Sequence, residues 1–324
     1  MAIHPMWRTY PDIQNELEAT LSLIESTIQT DNVPVKNAII KMINAGGKLL
    51  RPAYCLLFSE FQETDRQKMI ALAAAVETLH TATLIHDDII DDSPVRRGLP
   101  SIQAEFDRAT AVYAGDYLFV VCFKLLSNYA SSLRSVQQDG QSMERILNGE
   151  LAQMARRYDL DMTMDQYLHQ VSGKTGQLFA LSCFIGAYES NASTFFAKKA
   201  EDIGLNIGIA FQLMDDILDY TSSEADFGKP VHEDMKQGVY SAPLILAMHA
   251  DPAIKSLLGK QTAMTDEDVA TVVARVSAVN GVARAHDLAQ AYTDKALKAL
   301  QKLPDKPARA TLIQLTKQLL QRTM

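Results

Sequence analysis

Apolar residues recur at intervals of three and four along nearly the whole chain, and period-two alternation is almost absent, so the pattern predicts helices joined by short polar loops. Ile13 to Ile28 and Val35 to Ile43 read as amphipathic helices, the first with Leu17, Leu21 and Ile24 on one stripe. Met69 to Ile85 is different. Glu77 is its only formal charge, which predicts a helix buried nearly all round, with Thr64 or Asp65 as its N-cap. Ala109 to Tyr129, Ser142 to Ala155, Met164 to Gly186 and a long segment from Asn191 or Ser193 follow. Ala242 to Ala250, Asp266 to Val276, Val282 to Leu303 and Ala308 to Gln321 complete an all-α chain of roughly a dozen helices. No linker or low-complexity run divides it, so one domain spanning 1–324 is expected.

The buried helix finishes in His86-Asp87-Asp88-Ile89-Ile90-Asp91-Asp92, four carboxylates in six positions. Like charges at i and i+4 repel by a few tenths of a kcal/mol, and carboxylates at a helix C-terminus oppose the macrodipole. Something cationic must offset this: the following Arg96-Arg97, or a divalent metal. Hard oxygen donors suit Mg²⁺, which keeps several waters and shares substrate phosphates. Asp87 and Asp91 share one helical face and are expected as direct ligands; Asp88, turned about 100° away, is expected to bind more weakly or act through the others. A merely solvated acidic helix end is the alternative for a single such motif.

A second apolar helix ends in the same way, Phe211-Gln212-Leu213-Met214-Asp215-Asp216-Ile217-Leu218-Asp219, followed by Phe227-Gly228-Lys229-Pro230. If both ends face one cavity, they form a carboxylate jaw for Mg²⁺ ions and a diphosphate, and apolar walls suggest a hydrocarbon attached to it. Ala45-Gly46-Gly47-Lys48-Leu49-Leu50-Arg51-Pro52 is a plausible anion seat, with paired glycines and two cations three positions apart. Gly173-Lys174-Thr175-Gly176 interrupts a helical pattern and reads either as a kink exposing Lys174 and Thr175 or as a turn between helices.

With 31 Lys+Arg against 39 Asp+Glu, the chain has a net charge of −8 and no basic stripe, so nucleic acid is not an expected partner. Cys55, Cys122 and Cys183 lie in apolar surroundings, which favours core packing and a reducing cytoplasm over disulfides or zinc. No secretory pattern opens the chain, and apolar runs such as Gly176 to Tyr188 fall short of a spanning helix. Contact with a membrane is expected to be peripheral at most, for release of a hydrophobic product.

Five motifs then carry a resemblance along almost the whole chain: GGKLLRP at Gly46 to Pro52, LHTATLIHDDIIDDSPVRRG at Leu79 to Gly98, GKTG at Gly173 to Gly176, FQLMDDILD at Phe211 to Asp219, and GKP at Gly228 to Pro230. In this order they resemble the trans-type polyprenyl (isoprenyl) diphosphate synthases. The resemblance implies long helices around a central cavity, usually in a dimer. It also implies Mg²⁺-assisted ionisation of an allylic diphosphate such as farnesyl diphosphate, attack by isopentenyl diphosphate, and loss of a proton to the released pyrophosphate. By position it assigns Asp87, Asp88 and Asp91, with Asp215, Asp216 and Asp219, to the metals; Arg96, Lys174 and Lys229 to the allylic diphosphate; and Lys48, Arg51, His80 and Arg97 to isopentenyl diphosphate. Thr175 and Gln212 are assigned to the developing cation.

One stretch departs from that pattern. The family commonly has a glycine and then a Gly-Lys-x-Thr-Leu-Pro run after the second acidic motif, where this chain has His232 and Gly238-Val239-Tyr240-Ser241-Ala242-Pro243. Val239 thus stands where a lysine would approach a diphosphate. One turn before Asp87, Ala82 and Thr83 occupy positions where short-chain members carry aromatics. The expected product is therefore hexaprenyl to octaprenyl diphosphate, for a quinone side chain, with the tunnel floor at Phe123 or Leu126. A terpene cyclase would need no second diphosphate seat, and a scaffold subunit would be expected to have lost its aspartates. A homodimer is expected, and a catalytic subunit that works only with a small partner stays open.

Overall fold

In the computed structural model, residues 3–221 and 232–320 are described. The helices are α1 (Pro11–Thr27), α2 (Val33–Asn44), α3 (Leu50–Ser59), α4 (Arg66–Ile90), α5 (Ile102–Glu105), α6 (Arg108–Tyr129), α7 (Leu133–Ala155), α8 (Met164–Val171), α9 (Gln177–Glu189) and α10 (Thr194–Thr221). They continue as α11 (Glu233–Lys236), α12 (Ala242–Ala250), α13 (Pro252–Leu258), α14 (Asp266–Ala278), α15 (Gly281–Gln301) and α16 (Pro307–Leu320). The fold is all-α. Among the described residues the only sheet is a two-stranded hairpin, β1 (Val95–Arg96) against β2 (Leu99–Pro100).

Contacts group the chain into two compact units, Met1–Gly140 with Leu181–Glu201, and Gln141–Ala180 with Asp202–Met324. In the first, α4 packs against α1, α3 and α6. Asp65 caps it by accepting from the Gln67 amide, and Ala71, Ala73, Ala74 and Ala75 are all fully buried, so neighbouring backbones approach closely. Leu72, Val76, Leu79 and Ile85 add about 1.5–3 kcal/mol each by leaving water. In the second unit α12 is the centre, packing on α8, α13, α14 and α15 through Leu244, Ile245 and Met248.

The segment after Pro94 folds back on itself in a tight hairpin. Arg97 and Gly98 both have left-handed backbone, φ 51° and 76°, as the two-residue turn of a type I′ hairpin requires. Two helices, α4 and α6, are long and apolar enough to cross a membrane by length and composition alone, which interrupted run lengths did not anticipate. Most of α4 is buried within its unit, as a core helix is, whereas α6 keeps Val112, Tyr113, Val120 and Phe123 exposed along its outer side. Cys55, Cys122 and Cys183 are buried free thiols, as expected, and burial pushes the Cys122 thiol up to about 12.

The first unit also buries acid. Glu189 accepts from Lys68 Nζ at 2.7 Å, from the Ser131 amide at 2.9 Å and from the Ser135 hydroxyl. Asp139 lies nearby, and burial, reinforced by the charge of Glu189, pushes its carboxyl up to about 7. The unfolded chain releases this proton near the ordinary value of 3.8, while the folded chain holds it until about 7, so the contribution to stability falls across that window. Asp139→Asn should therefore gain on the wild type in denaturant melts as pH rises from about 4 to about 7, with a constant difference above that. A difference independent of pH would contradict this assignment.

Candidate active site

The first acidic helix end is closed by the residues that follow it. The Ser93 amide and Gln103 Nε2 donate to the Asp88 carbonyl at 2.9 and 2.7 Å, satisfying a backbone acceptor that the end of α4 would otherwise leave open. Asp88 is 1% exposed, and Arg96 donates to its Oδ1 from Nε at 2.8 Å and from Nη2 as well. The hairpin thus supplies the cation that a buried carboxylate needs. Asp91 is the C-cap of α4 and is exposed, its amide donating to the Asp87 carbonyl at 2.9 Å, while Asp87 is half-buried. His86, beside them, sits 3.3 Å from Asp116 and lies over Gly115, where a Cβ would come within 2.4 Å of Nε2.

A separate cationic cluster forms around His80. Gly46 has φ 82° and Leu49 φ 50°, so left-handed residues flank Lys48 before α3 begins, and Arg51 enters its first turn. Arg51 Nη1 lies 3.2 Å from His80 Nε2. A guanidinium can only donate, so Nε2 accepts and the ring hydrogen is on Nδ1. Burial, and then the charges of Arg51, Arg97 and Arg96, hold the His80 pKa well below its usual value, so it stays neutral. The Arg97 guanidinium covers Gly47, where a Cβ would meet Nη1 at 2.6 Å. Glu77, three positions before His80, is buried beneath this cluster; burial raises its pKa and the charges of Arg97 and Arg51 oppose the rise. The sequence signal for Glu77 was its isolation in an apolar helix.

In the second unit, Ser172–Gly176 forms one π-helical turn joining α8 to α9. Its glycines allow backbone contact: a Cβ on Gly149 would lie 2.7 Å from the Gly173 carbonyl carbon, and one on Gly208 would lie 2.7 Å from Gly176 Cα. Lys174 pairs with Glu150 at 2.8 Å. The Thr175 hydroxyl donates to Gln212 Oε1 at 2.8 Å, and Gln212 Nε2 donates to Asp216 Oδ1 at 3.0 Å. Asp216 Oδ2 accepts from the Tyr167 hydroxyl at 2.7 Å and from the Ala242 amide at 2.9 Å. Burial lifts the Asp216 pKa to about 6, although these hydrogen bonds pull it down. Asp215 and Asp219 are half-buried, and Asp219 lies 3.2 Å from His232 Nδ1. His232 has φ 64°, where the family pattern has glycine.

Tyr167, Glu150 and Gln103 were not predicted. Each sits on another helix and marks its role by no local pattern. Lys229, with Phe227, Gly228 and Pro230, lies outside the described residues. Val239 is half-buried and its amide donates to the Asp234 carbonyl at 2.8 Å. Ala82 is fully buried and the Thr83 hydroxyl donates to the His80 carbonyl at 2.8 Å. Of the two floor candidates, Leu126 is buried, but Phe123 is 45% exposed on the outer side of α6 and does not face the interior of its unit.

The donors at both acidic ends are carboxylate oxygens, the hard set that Mg²⁺ takes one or two at a time while keeping water and phosphate in its remaining positions. Among the described residues no three His, Cys, Asp or Glu side chains converge as a metal-binding group. Open pairs of this kind fit a cation delivered with its substrate better than a resident ion in a closed cage.

Comparison with known proteins places the chain. Component 2 of heptaprenyl diphosphate synthase from Geobacillus stearothermophilus is 33% identical over 304 residues, 94% of each chain. The crystal structure of geranylgeranyl pyrophosphate synthase from Lactobacillus brevis superposes with a TM-score of 0.94 at 44% identity, covering 98% of this chain and 99% of that one. Heptaprenyl diphosphate synthase from Staphylococcus aureus gives 0.92 at 29% identity, covering 96% and 99%. Residues 33–278 match the polyprenyl synthetase family model, and the chain belongs to that family.

Proposed function

We propose that this prenyltransferase condenses an allylic diphosphate, farnesyl diphosphate in the simplest case, with successive isopentenyl diphosphate units to an all-trans polyprenyl diphosphate for a quinone side chain. The observation that carries this reading is the Lys48 loop with Arg51, neutral His80 and Arg97. A diphosphate ionised at an acidic helix end needs no second cationic seat, whereas a condensation has a second diphosphate to hold. A neutral imidazole leaves the charge balance there to the arginines and keeps a hydrogen-bonding ring in place.

Asp87, Asp91, Asp215 and Asp219 are the proposed Mg²⁺ ligands, with Asp88 and Asp216 acting through the neighbours that hold them. Bound Mg²⁺ would neutralise phosphate oxygens and make diphosphate a better leaving group. Arg96 and Lys174 are proposed as charge-assisted donors to diphosphate oxygens, each in its own unit. As the allylic C–O bond breaks, positive charge develops on carbon. Thr175 has committed its hydroxyl proton to Gln212, so its oxygen presents lone pairs to that charge without reorganising. The isopentenyl double bond forms the new C–C bond, and the proton lost goes to pyrophosphate.

The small Ala82 and Thr83 support a hexaprenyl to octaprenyl product. The name of the Lactobacillus brevis relative favours a second reading, a geranylgeranyl product. The exposed apolar side of α6 suits a second copy of the chain, and the relative named as a component 2 supports the alternative of a small partner subunit.

Purified chain given farnesyl and isopentenyl diphosphates should yield products longer than geranylgeranyl diphosphate with Mg²⁺ and none after chelation; arrest at twenty carbons would establish the shorter reading. Ala82→Phe should shorten the product, and unchanged length would remove the tunnel argument. Tyr167→Phe removes one donor to Asp216 and loosens the Gln212–Thr175 chain. It should lower kcat about tenfold with KM for both substrates within about twofold. A rise in KM with kcat intact would contradict that role.

A further inference from the structure

The family match begins at residue 33, yet the chain before it reaches into the site. Pro5–Thr9 forms a 3₁₀ turn in which His4 Nδ1 accepts from the Met6 amide and the Tyr10 amide closes on the Trp7 carbonyl at 2.8 Å. Trp7, the chain's one tryptophan, is 0% exposed. Its indole Nε1–H donates to the Lys48 carbonyl at 2.8 Å, across 41 positions of sequence.

That carbonyl belongs to a strained stretch. Leu49, a bulky residue, takes φ 50°, a left-handed conformation that L side chains adopt only where their surroundings impose it. Gly46, two residues before Lys48, is also left-handed at φ 82°, so the loop that carries Lys48 turns sharply at both ends. The direction of the Lys48 side chain and the start of α3, which carries Arg51, both follow from this turn. We propose that Trp7 is a positioning residue for the second diphosphate: by holding the Lys48 carbonyl it fixes the left-handed loop that aims Lys48 and sets Arg51 beside His80. This rests on the assignment of that seat to isopentenyl diphosphate.

Trp7→Phe keeps an aromatic ring in the core and removes the N–H donor together with the pyrrole part of the indole. It should raise KM for isopentenyl diphosphate about three- to tenfold, the usual range for one lost hydrogen bond, with kcat and KM for the allylic substrate within about twofold. Tyr10→Phe alters the other ring of the same aromatic pair and removes a buried hydroxyl that has no hydrogen-bond partner among the described residues; it should leave all three parameters unchanged. Unchanged KM for isopentenyl diphosphate in Trp7→Phe, equal rises for both substrates, or the same change in Tyr10→Phe would overturn the proposal. Equilibrium dialysis of isopentenyl diphosphate separates the two levels. Wild type that fails to bind it removes the seat and the proposal together, whereas equal binding by wild type and Trp7→Phe removes the proposal alone.

Discussion

Each fold unit depends on what it does with the second aspartate of its acidic helix end. A carboxylate buried at a helix C-terminus faces both desolvation and the negative end of the macrodipole. The first unit answers with a cation: a two-residue turn brings Arg96 back onto Asp88. The second answers with neutral donors, a tyrosine hydroxyl, a glutamine amide and the backbone N–H at the start of α12. The difference shows in the acid itself, because burial lifts the Asp216 pKa to about 6 although its hydrogen bonds to these neutral donors pull it down. In both units the second aspartate is tied to the protein, and the first and third are the side chains proposed for the metal.

That division has consequences beyond the carboxylates. Asp216 orients the Gln212 amide, whose oxygen accepts from the Thr175 hydroxyl, so the acid sets the polarity of the group proposed to face the developing cation. Asp88 fixes Arg96, and its neighbour Arg97 turns back over Gly47 toward the other cationic cluster. One short hairpin therefore carries the arginines proposed for both diphosphates. Glu77 beneath the arginines offers the counter-charge that such a cluster needs in a buried place.

The helices were legible because their period is local: the alanine-rich α4 and both acidic ends could be read directly from spacing. The partners of the second aspartates were not, since Tyr167 lies 49 positions from Asp216 and Ala242 lies 26 positions away. The π-turn at Gly173–Gly176 was visible as a disruption, but its reason, close approach of Gly149 and Gly208, lives on other helices. The hairpin was missed because Arg97-Gly98 lacks the Asn-Gly or Asp-Gly signature of its turn type. The motif assignments came from resemblance to a family; spacing alone left a single acidic cluster undecided.

Calorimetric titration of Mg²⁺ with pyrophosphate into single Asp→Asn variants tests this division of labour most directly. Asp87→Asn and Asp215→Asn should abolish Mg²⁺-dependent pyrophosphate binding, while Asp88→Asn and Asp216→Asn should keep the same stoichiometry with affinity weakened by no more than about tenfold. Equal loss in all four variants, or loss confined to Asp88→Asn and Asp216→Asn, would contradict the account.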